Sequence, residues 1–257
     1  MPKPRVLVLR APGTNCDEEA AFAWQMAGAE AETWHVGRVV EHPEGLDSFQ
    51  ILTLPGGFSY GDDLGSGKIL ATRLGTVLGD PLRRFLDRGG LVLGICNGFQ
   101  VLVKAGLLPG GTGVGPATLT HNDSGHFEAR WVRLLPTPGL SPFLTDDRPI
   151  ELPVAHGEGK FVLADPKALP KLEAAGQVVL RYVDDHDHPT AAYPANPNGS
   201  TSAIAGLCDP TGRVFGLMPH PERFVDPLHH PRWTRRGLEG EGDGLRIFRN
   251  AVRALTA

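Results

Sequence analysis

Leu91-Val92-Leu93-Gly94-Ile95-Cys96-Asn97-Gly98-Phe99-Gln100 is the stretch whose reading decides the fold. Its first five residues form an apolar run rich in strand formers, the pattern of a buried strand. Phe99 to Ala105 continues as an apolar, helix-like run. Cys96 stands at the corner between them, with Gly94 and Gly98 two residues away on either side. Strand, sharp turn and helix with a nucleophile at the turn is the layout of the Gly-x-Ser-x-Gly elbow, where small neighbours let the backbone adopt a strained conformation. A cysteine in the serine's place sets a sulfur at the positive end of a helix, where negative charge is favoured. An inert structural thiol is spelled the same way locally, so catalysis needs a base and an oxyanion hole from elsewhere in the chain.

Upstream of the elbow, Arg5 to Leu9, Thr33 to Val36 and Phe49 to Leu54 read as strands. A helix between the first two is expected to be capped by Thr14 or Asn15, with Asp17, Glu18 and Glu19 in its first turn and Gly28 at its end. Arg73 to Arg88 reads as mostly helical, with a new segment starting at Pro81. Alternating strands and helices argue for βαβ units and a parallel sheet, whose ligands sit beyond the carboxyl ends of the strands. The turns Ala11–Asn15, Pro55–Ser59 and Gly94–Gly98 would then share one edge. That edge brings Gly56-Gly57, with open backbone N–H groups, near Cys96 as a candidate oxyanion hole.

Downstream, Thr118 to Thr120, Phe127 to Leu135, Ile150 to Val154, Val178 to Val183, Ser202 to Leu207 and Val214 to Met218 read as further strands. They are expected to extend the sheet as antiparallel strands or to form a small second sheet, and no linker marks a domain boundary, so 1–257 reads as one domain. The last strand runs into Pro219-His220-Pro221-Glu222-Arg223. His220 and Glu222 are one residue apart, so in an extended segment they point the same way. A carboxylate beside an imidazole fixes its tautomer and stabilises its charged form, the task of the third member of a triad. A closing amphipathic helix is expected over Gly244 to Leu255.

Composition removes several function classes. The chain has 257 residues, 41% hydrophobic and 21% charged, within the globular range. A net charge of -4 without a basic block argues against nucleic acid and anionic membranes as partners. Cys16, Cys96 and Cys208 form neither a disulfide framework nor a zinc motif. No signal segment or membrane-spanning run is apparent, and a cytoplasmic location is the expectation. Tyr60 to Lys68 fails the phosphate-loop pattern, because Asp62 replaces its first glycine and Ile69 follows Lys68. Gly111-x-Gly113 lacks the third glycine of a dinucleotide fingerprint. Asp184-Asp185-His186-Asp187-His188 and His229-His230 read as surface loops, since consecutive residues of an extended segment cannot all reach one ion. No metal site is expected.

Taken together, these residues resemble the triad-type (class I) glutamine amidotransferases: a Gly-x-Cys-x-Gly elbow followed by a glutamine, an upstream Pro-Gly-Gly and a downstream His-Pro-Glu. The finer resemblance is to the family of glutaminase subunits of phosphoribosylformylglycinamidine synthase, which act in purine biosynthesis. It is carried by Pro12–Asp17, Pro55–Asp62, Gly94–Gln100, His121-Asn122 with Ser124-Gly125, Ala155–Gly159, Asn196–Ser200 and Met218–Arg223, in the family's order over nearly the whole chain.

The resemblance implies a flavodoxin-like three-layer α/β sandwich with a mostly parallel central sheet and antiparallel edge strands. It implies Cys96 as nucleophile, His220 as general base and acid, and Glu222 as the residue orienting His220. The N–H groups of Gly57 and Asn97 would form the oxyanion hole, and Gln100 and Asn122 would help hold L-glutamine. No cofactor is implied on this chain. ATP and magnesium are expected on a synthase subunit that binds formylglycinamide ribonucleotide, with a small third subunit beside it. Leu64–Ile69 and Val225–Gly242 follow no familiar pattern. Two other readings share this scaffold. One is a peptidase or γ-glutamyl hydrolase, against which Pro12–Cys16 and His156–Gly159 argue. The other is a non-catalytic regulatory subunit, against which the intact Cys96, His220 and Glu222 argue.

Overall fold

Apolar runs too short for a helical period become the strands of a nine-stranded sheet. In the computed structural model, which describes residues 2–110, 115–237 and 240–256, the chain begins β1 (Arg5–Arg10), α1 (Asp17–Met26), β2 (Glu30–His35), α2 (Val36–Glu41) and β3 (Ile51–Leu54). It continues α3 (Lys68–Val77), α4 (Gly79–Asp87), β4 (Leu91–Ile95), α5 (Asn97–Lys104), β5 (Ala117–Thr120), β6 (Glu128–Pro136), β7 (Ile150–His156) and β8 (Lys160–Leu163). Then come α6 (Leu169–Ala174), β9 (Val178–Tyr182), β10 (Ile204–Cys208), β11 (Val214–Leu217), α7 (Trp233–Arg236) and α8 (Leu245–Thr256).

The sheet order is β2-β1-β3-β4-β11-β10-β9-β6-β7, and β5 pairs with β8 in a separate ribbon. Pairing is parallel from β2 through β11 and antiparallel from β11 outward to β7. The two alternatives left open for the second half of the chain therefore both occur, an antiparallel extension and a small second sheet. β3 and β4 are buried at every position, the mark of central strands covered on both faces. The path steps outward from β1 to β2 but inward from β3 to β4. Right-handed crossovers then put α1 on one face and the helices between β3 and β4 on the other. Trp24 of α1 meets Phe248 of α8 edge to face, with ring centroids 4.8 Å apart.

Some boundaries differ from expectation for local reasons. Neither Thr14 nor Asn15 caps α1. Cys16 holds that position without a side-chain cap bond. Thr14 Oγ1 instead accepts the Ala11 N–H at 3.1 Å, and Asn15 Oδ1 accepts the Cys16 thiol at 3.1 Å. The helical stretch expected over Arg73–Arg88 is two helices that start at Lys68 and break at Leu78, and Pro81 lies within the first turn of α4. The short elements α2, β8 and α6 were not anticipated, because four to six residues carry too little periodicity. Gly111-x-Gly113 lies outside the described residues. No helix among the described residues is long and apolar enough to cross a membrane.

Candidate active site

The carboxyl ends of β3, β4 and β11 bring Gly56, Cys96 and His220 to one place. β4 ends at Ile95 and α5 starts at Asn97, so Cys96 alone makes the turn, at φ 51° and ψ -105°. A non-glycine residue at positive φ is strained, and such strain concentrates at functional sites. The elbow closes tightly because residue 98 is glycine. A Cβ there would lie 1.9 Å from the Leu54 carbonyl oxygen at the end of β3. Asn97 is the first residue of α5, so its backbone N–H has no partner within the helix. Gly57 follows β3 and is bridged to Thr14. Among the described residues its N–H has no backbone acceptor. Among the described residues, neither Gly57 nor Asn97 thus has a backbone acceptor for its N–H.

His220 leaves the end of β11 and is tied by its own N–H to the Pro153 carbonyl of β7 at 2.8 Å. Its Nδ1–H donates to Glu222 Oε1 at 2.6 Å, and both side chains are buried. Among the described residues Nε2 has no nitrogen or oxygen partner and faces the Cys16 and Cys96 sulfurs. A Cβ placed on Gly56 would lie 2.8 Å from His220 Cε1, 3.2 Å from Cys16 Sγ and 3.5 Å from Cys96 Cβ, so one glycine-sized space adjoins the ring and both cysteines. Burial by itself would depress the imidazole. Burial is the largest single influence, but the Glu222 carboxylate and the adjacent Cys96 and Cys16 sulfurs together exceed it and hold His220 well above the usual histidine range. The ring stands beside Cys96, placed to exchange a proton with the sulfur and with a leaving nitrogen.

Cys16 is the neighbour that sequence reasoning missed. It lies at the carboxyl end of β1, on the edge where ligands bind, and that position was the available signal. Arg223 Nη2 donates to its sulfur at 3.1 Å. Cys16, His220 and Glu222 place ligand-type atoms within 4.8 Å of one another. Glu222 is already engaged with the ring, and the Arg223 guanidinium against Cys16 opposes a cation, so we read the group as part of the His220 surroundings.

Gln100 and Asn122 both make hydrogen bonds within the protein, Gln100 with capacity to spare. Gln100 Nε2 donates to the Glu158 carbonyl at 2.6 Å, and its Oε1 accepts from Asn97 Nδ2 at 3.0 Å. One N–H of its amide is left over. Asn122 was expected to hold substrate, but its amide has no capacity left. Nδ2 donates to the His126 and His156 carbonyls, while Oδ1 faces the His156 Nδ1 and Gly159 N–H groups. It grips the turn 156–159 and offers no free group to a ligand. The Asp184–His188 segment is a turn. Asp184 accepts the His186 and His188 N–H groups, and Asp187 pairs with Arg133.

Comparisons with known proteins give the family and the fold. Residues 3–254 match the family model described as a CobB/CobQ-like glutamine amidotransferase domain. A phosphoribosylformylglycinamidine synthase subunit PurQ from Dehalococcoides mccartyi is 50% identical over 256 residues, covering 98% of each chain. The subunit of that name from Thermus thermophilus is 41% identical, covering 97% of this chain and 98% of its own. Among solved structures, a chain of PurLQS from Thermotoga maritima superposes with a TM-score of 0.75 at 34% identity, covering 99% of this chain and 100% of that one. With its elbow, imidazole and carboxylate at one sheet edge, and matched from residue 3 to 254, the chain belongs to the glutamine amidotransferase family.

Proposed function

We propose that this chain is the glutaminase subunit of a phosphoribosylformylglycinamidine synthase, acting throughout its length as one glutaminase domain. The observation that carries the mechanism is the strained elbow at Cys96 set against an imidazole whose Nδ1 is bound by Glu222 and whose Nε2 faces the Cys96 sulfur. Cys96 sulfur attacks the side-chain carboxamide carbon of L-glutamine. The carbonyl oxygen takes up negative charge against the N–H groups of Gly57 and Asn97, where one such donor is worth about 3–4 kcal/mol of barrier. His220 gives its Nε2 proton to the nitrogen, the C–N bond breaks, and ammonia leaves a γ-glutamyl thioester. Water then adds to the thioester while His220 takes its proton. The C–S bond breaks, giving glutamate and the free thiol. Glu222 holds the ring in the required tautomer throughout.

The ammonia passes to a synthase subunit that uses ATP and magnesium to convert formylglycinamide ribonucleotide into formylglycinamidine ribonucleotide, with a small third subunit in the complex. A cytoplasmic site of action goes with this reading. The test is reconstitution with the synthase and small subunits. Glutamine-dependent amination should appear, glutaminase turnover should rise on assembly, and Cys96→Ala should abolish both while ammonia-dependent amination survives. Equal turnover with and without partners, or a Cys96→Ala chain that still releases ammonia, would overturn the reading.

A further inference from the structure

His156, at the end of β7, is buried and sits in a polar network that the mechanism above does not use. The orientation of each amide in that network is fixed by its neighbours. Asn122 Nδ2 faces two carbonyls, at 2.9 Å (His126) and 2.8 Å (His156), so Oδ1 is the atom 3.1 Å from His156 Nδ1. Asn198 Oδ1 accepts from Ser200 N–H and Oγ–H, so its Nδ2 faces Tyr182 Oη at 3.1 Å and His156 Nε2 at 3.5 Å. The ring therefore carries its proton on Nδ1 and accepts on Nε2. Burial, followed by the charge of His220, pushes its pKa down to about 4, so it stays neutral where the enzyme works. It is no second general base.

What the ring holds is the turn after β7. Asn122 N–H donates to the Gly157 carbonyl at 2.9 Å, and Asn122 Oδ1 accepts from Gly159 N–H at 3.0 Å. The imidazole packs closely against residue 159. A Cβ there would come within 2.4 Å of His156 Cε1 and 2.5 Å of Nδ1, which only glycine avoids. The same turn directs two carbonyls at the site. Ala155 O accepts the Cys96 thiol at 3.7 Å, and Glu158 O accepts Gln100 Nε2 at 2.6 Å.

We propose that His156 is a positioning residue for the glutaminase reaction: its Nδ1–H bond to Asn122 fixes the 155–159 turn that presents Ala155 O to the nucleophile and Glu158 O to Gln100. The proposal rests on the glutaminase reading and adds to it a group that never touches substrate. An asparagine at 156 places an amide nitrogen near the position of Nδ1, whereas a glutamine places it near that of Nε2. The two variants are alike in polarity and differ in which bond they keep.

The experiment labels Cys96 in the full chain with two probes, the glutamine mimic 6-diazo-5-oxo-L-norleucine and the small thiol reagent iodoacetamide. His156→Gln should slow labelling by the mimic tenfold or more while iodoacetamide labelling stays within about threefold of the wild type. His156→Asn should stay within about threefold on both. Equal slowing by the mimic in the two variants, or wild-type rates in His156→Gln, overturns the proposal. So does a parallel loss with both probes and a lowered Tm in both variants, which marks a purely structural histidine. A wild-type chain that, assembled with its synthase and small subunits, reacts with iodoacetamide but resists the mimic would sink the glutaminase reading, and this proposal with it.

Discussion

Cys16 and Cys96 both stand against His220, each directly before the first residue of a helix, yet only Cys96 sits at positive φ between a strand and a helix. The surroundings of the two sulfurs differ. α1 opens with Asp17, Glu18 and Glu19, and Cys16 is held between Asn15 Oδ1 and Arg223 Nη2. α5 opens without acidic residues, and Cys96 faces Ala155 O at 3.7 Å as well as the His220 ring.

Cys96 is therefore expected to be the sulfur that a glutamine-mimicking electrophile modifies. Peptide mapping after labelling should place the adduct on residue 96 and leave residue 16 unmodified. Cys96→Ser should reduce turnover at least 10³-fold, as loss of an activated nucleophile does. Cys16→Ser keeps a small hydrogen-bonding group toward Arg223 and Asn15 and should stay within about tenfold of wild type. An adduct on Cys16 would reverse the assignment.

Glu222→Gln tests the electrostatics of His220. The carboxylate is the main influence raising the imidazole against burial. Without it, burial prevails and the charged ring is lost at lower pH. The alkaline limb of the glutaminase profile should move to lower pH, and turnover should fall roughly 10²–10⁴-fold, since the amide also weakens control of the tautomer. The wild-type pair has a stability signature of its own sign. With its native pKa above the unfolded value, its contribution is fully present below about pH 6.5 and fades as pH rises through the raised native value. Chemical denaturation of wild type and Glu222→Gln from pH 6.5 upward, with turnover followed over the same range, checks both statements.

His156 has the opposite sign. Its native pKa of about 4 lies below the unfolded value. Between pH 6.5 and 4 the unfolded chain binds a proton that the native state refuses, so folding loses stability as pH falls. The full span amounts to about 3 kcal/mol. Acidification costs the wild type more than it costs His156→Asn, which has no group to titrate. Urea denaturation of both proteins at pH 4.5 and 6.5 should show the wild type losing about 2–3 kcal/mol more than the variant across that interval. Equal losses would mean that the ring is protonated in the native state.

The elbow was legible because a cysteine between spaced glycines, after a strand and before a helix, has few structural solutions. His220 and Glu222 were legible because alternation in an extended segment puts residues i and i+2 on one side. The parallel half of the sheet followed from alternating strands and helices. What escaped was set by distant partners. His156 meets Asn122 across 34 residues and Asn198 across 42, and such bonds leave no local period. Asn122 was expected to hold substrate only because the family resemblance implied it. Only the structure shows both ends of that amide filled by the turn it holds. Cys16 was assigned no role from the sequence, and its approach to His220 depends on how closely β1, β3 and β11 end together.

Gly56 offers the most direct test of that convergence. Its φ is not in the left-handed region, so alanine meets no backbone penalty there, and the effect is one of space. The added methyl carbon would lie 2.8 Å from His220 Cε1, closer than non-bonded carbons pack, and 3.2 Å from Cys16 Sγ. The ring must retreat, and its Glu222 bond, at 2.6 Å, leaves little slack for doing so without rotating Nε2 away from the elbow. Gly56→Ala should therefore cut turnover at saturating glutamine by tenfold or more, because an ångström of misplacement in a catalytic group is felt directly in the rate. Overpacking a buried site costs about 1–3 kcal/mol, so Tm should fall by only a few degrees. Steady-state kinetics alongside thermal melting separate the two effects. A variant with wild-type turnover would mean that the imidazole has room to spare, and that the space at Gly56 does not set the distance between ring and sulfur.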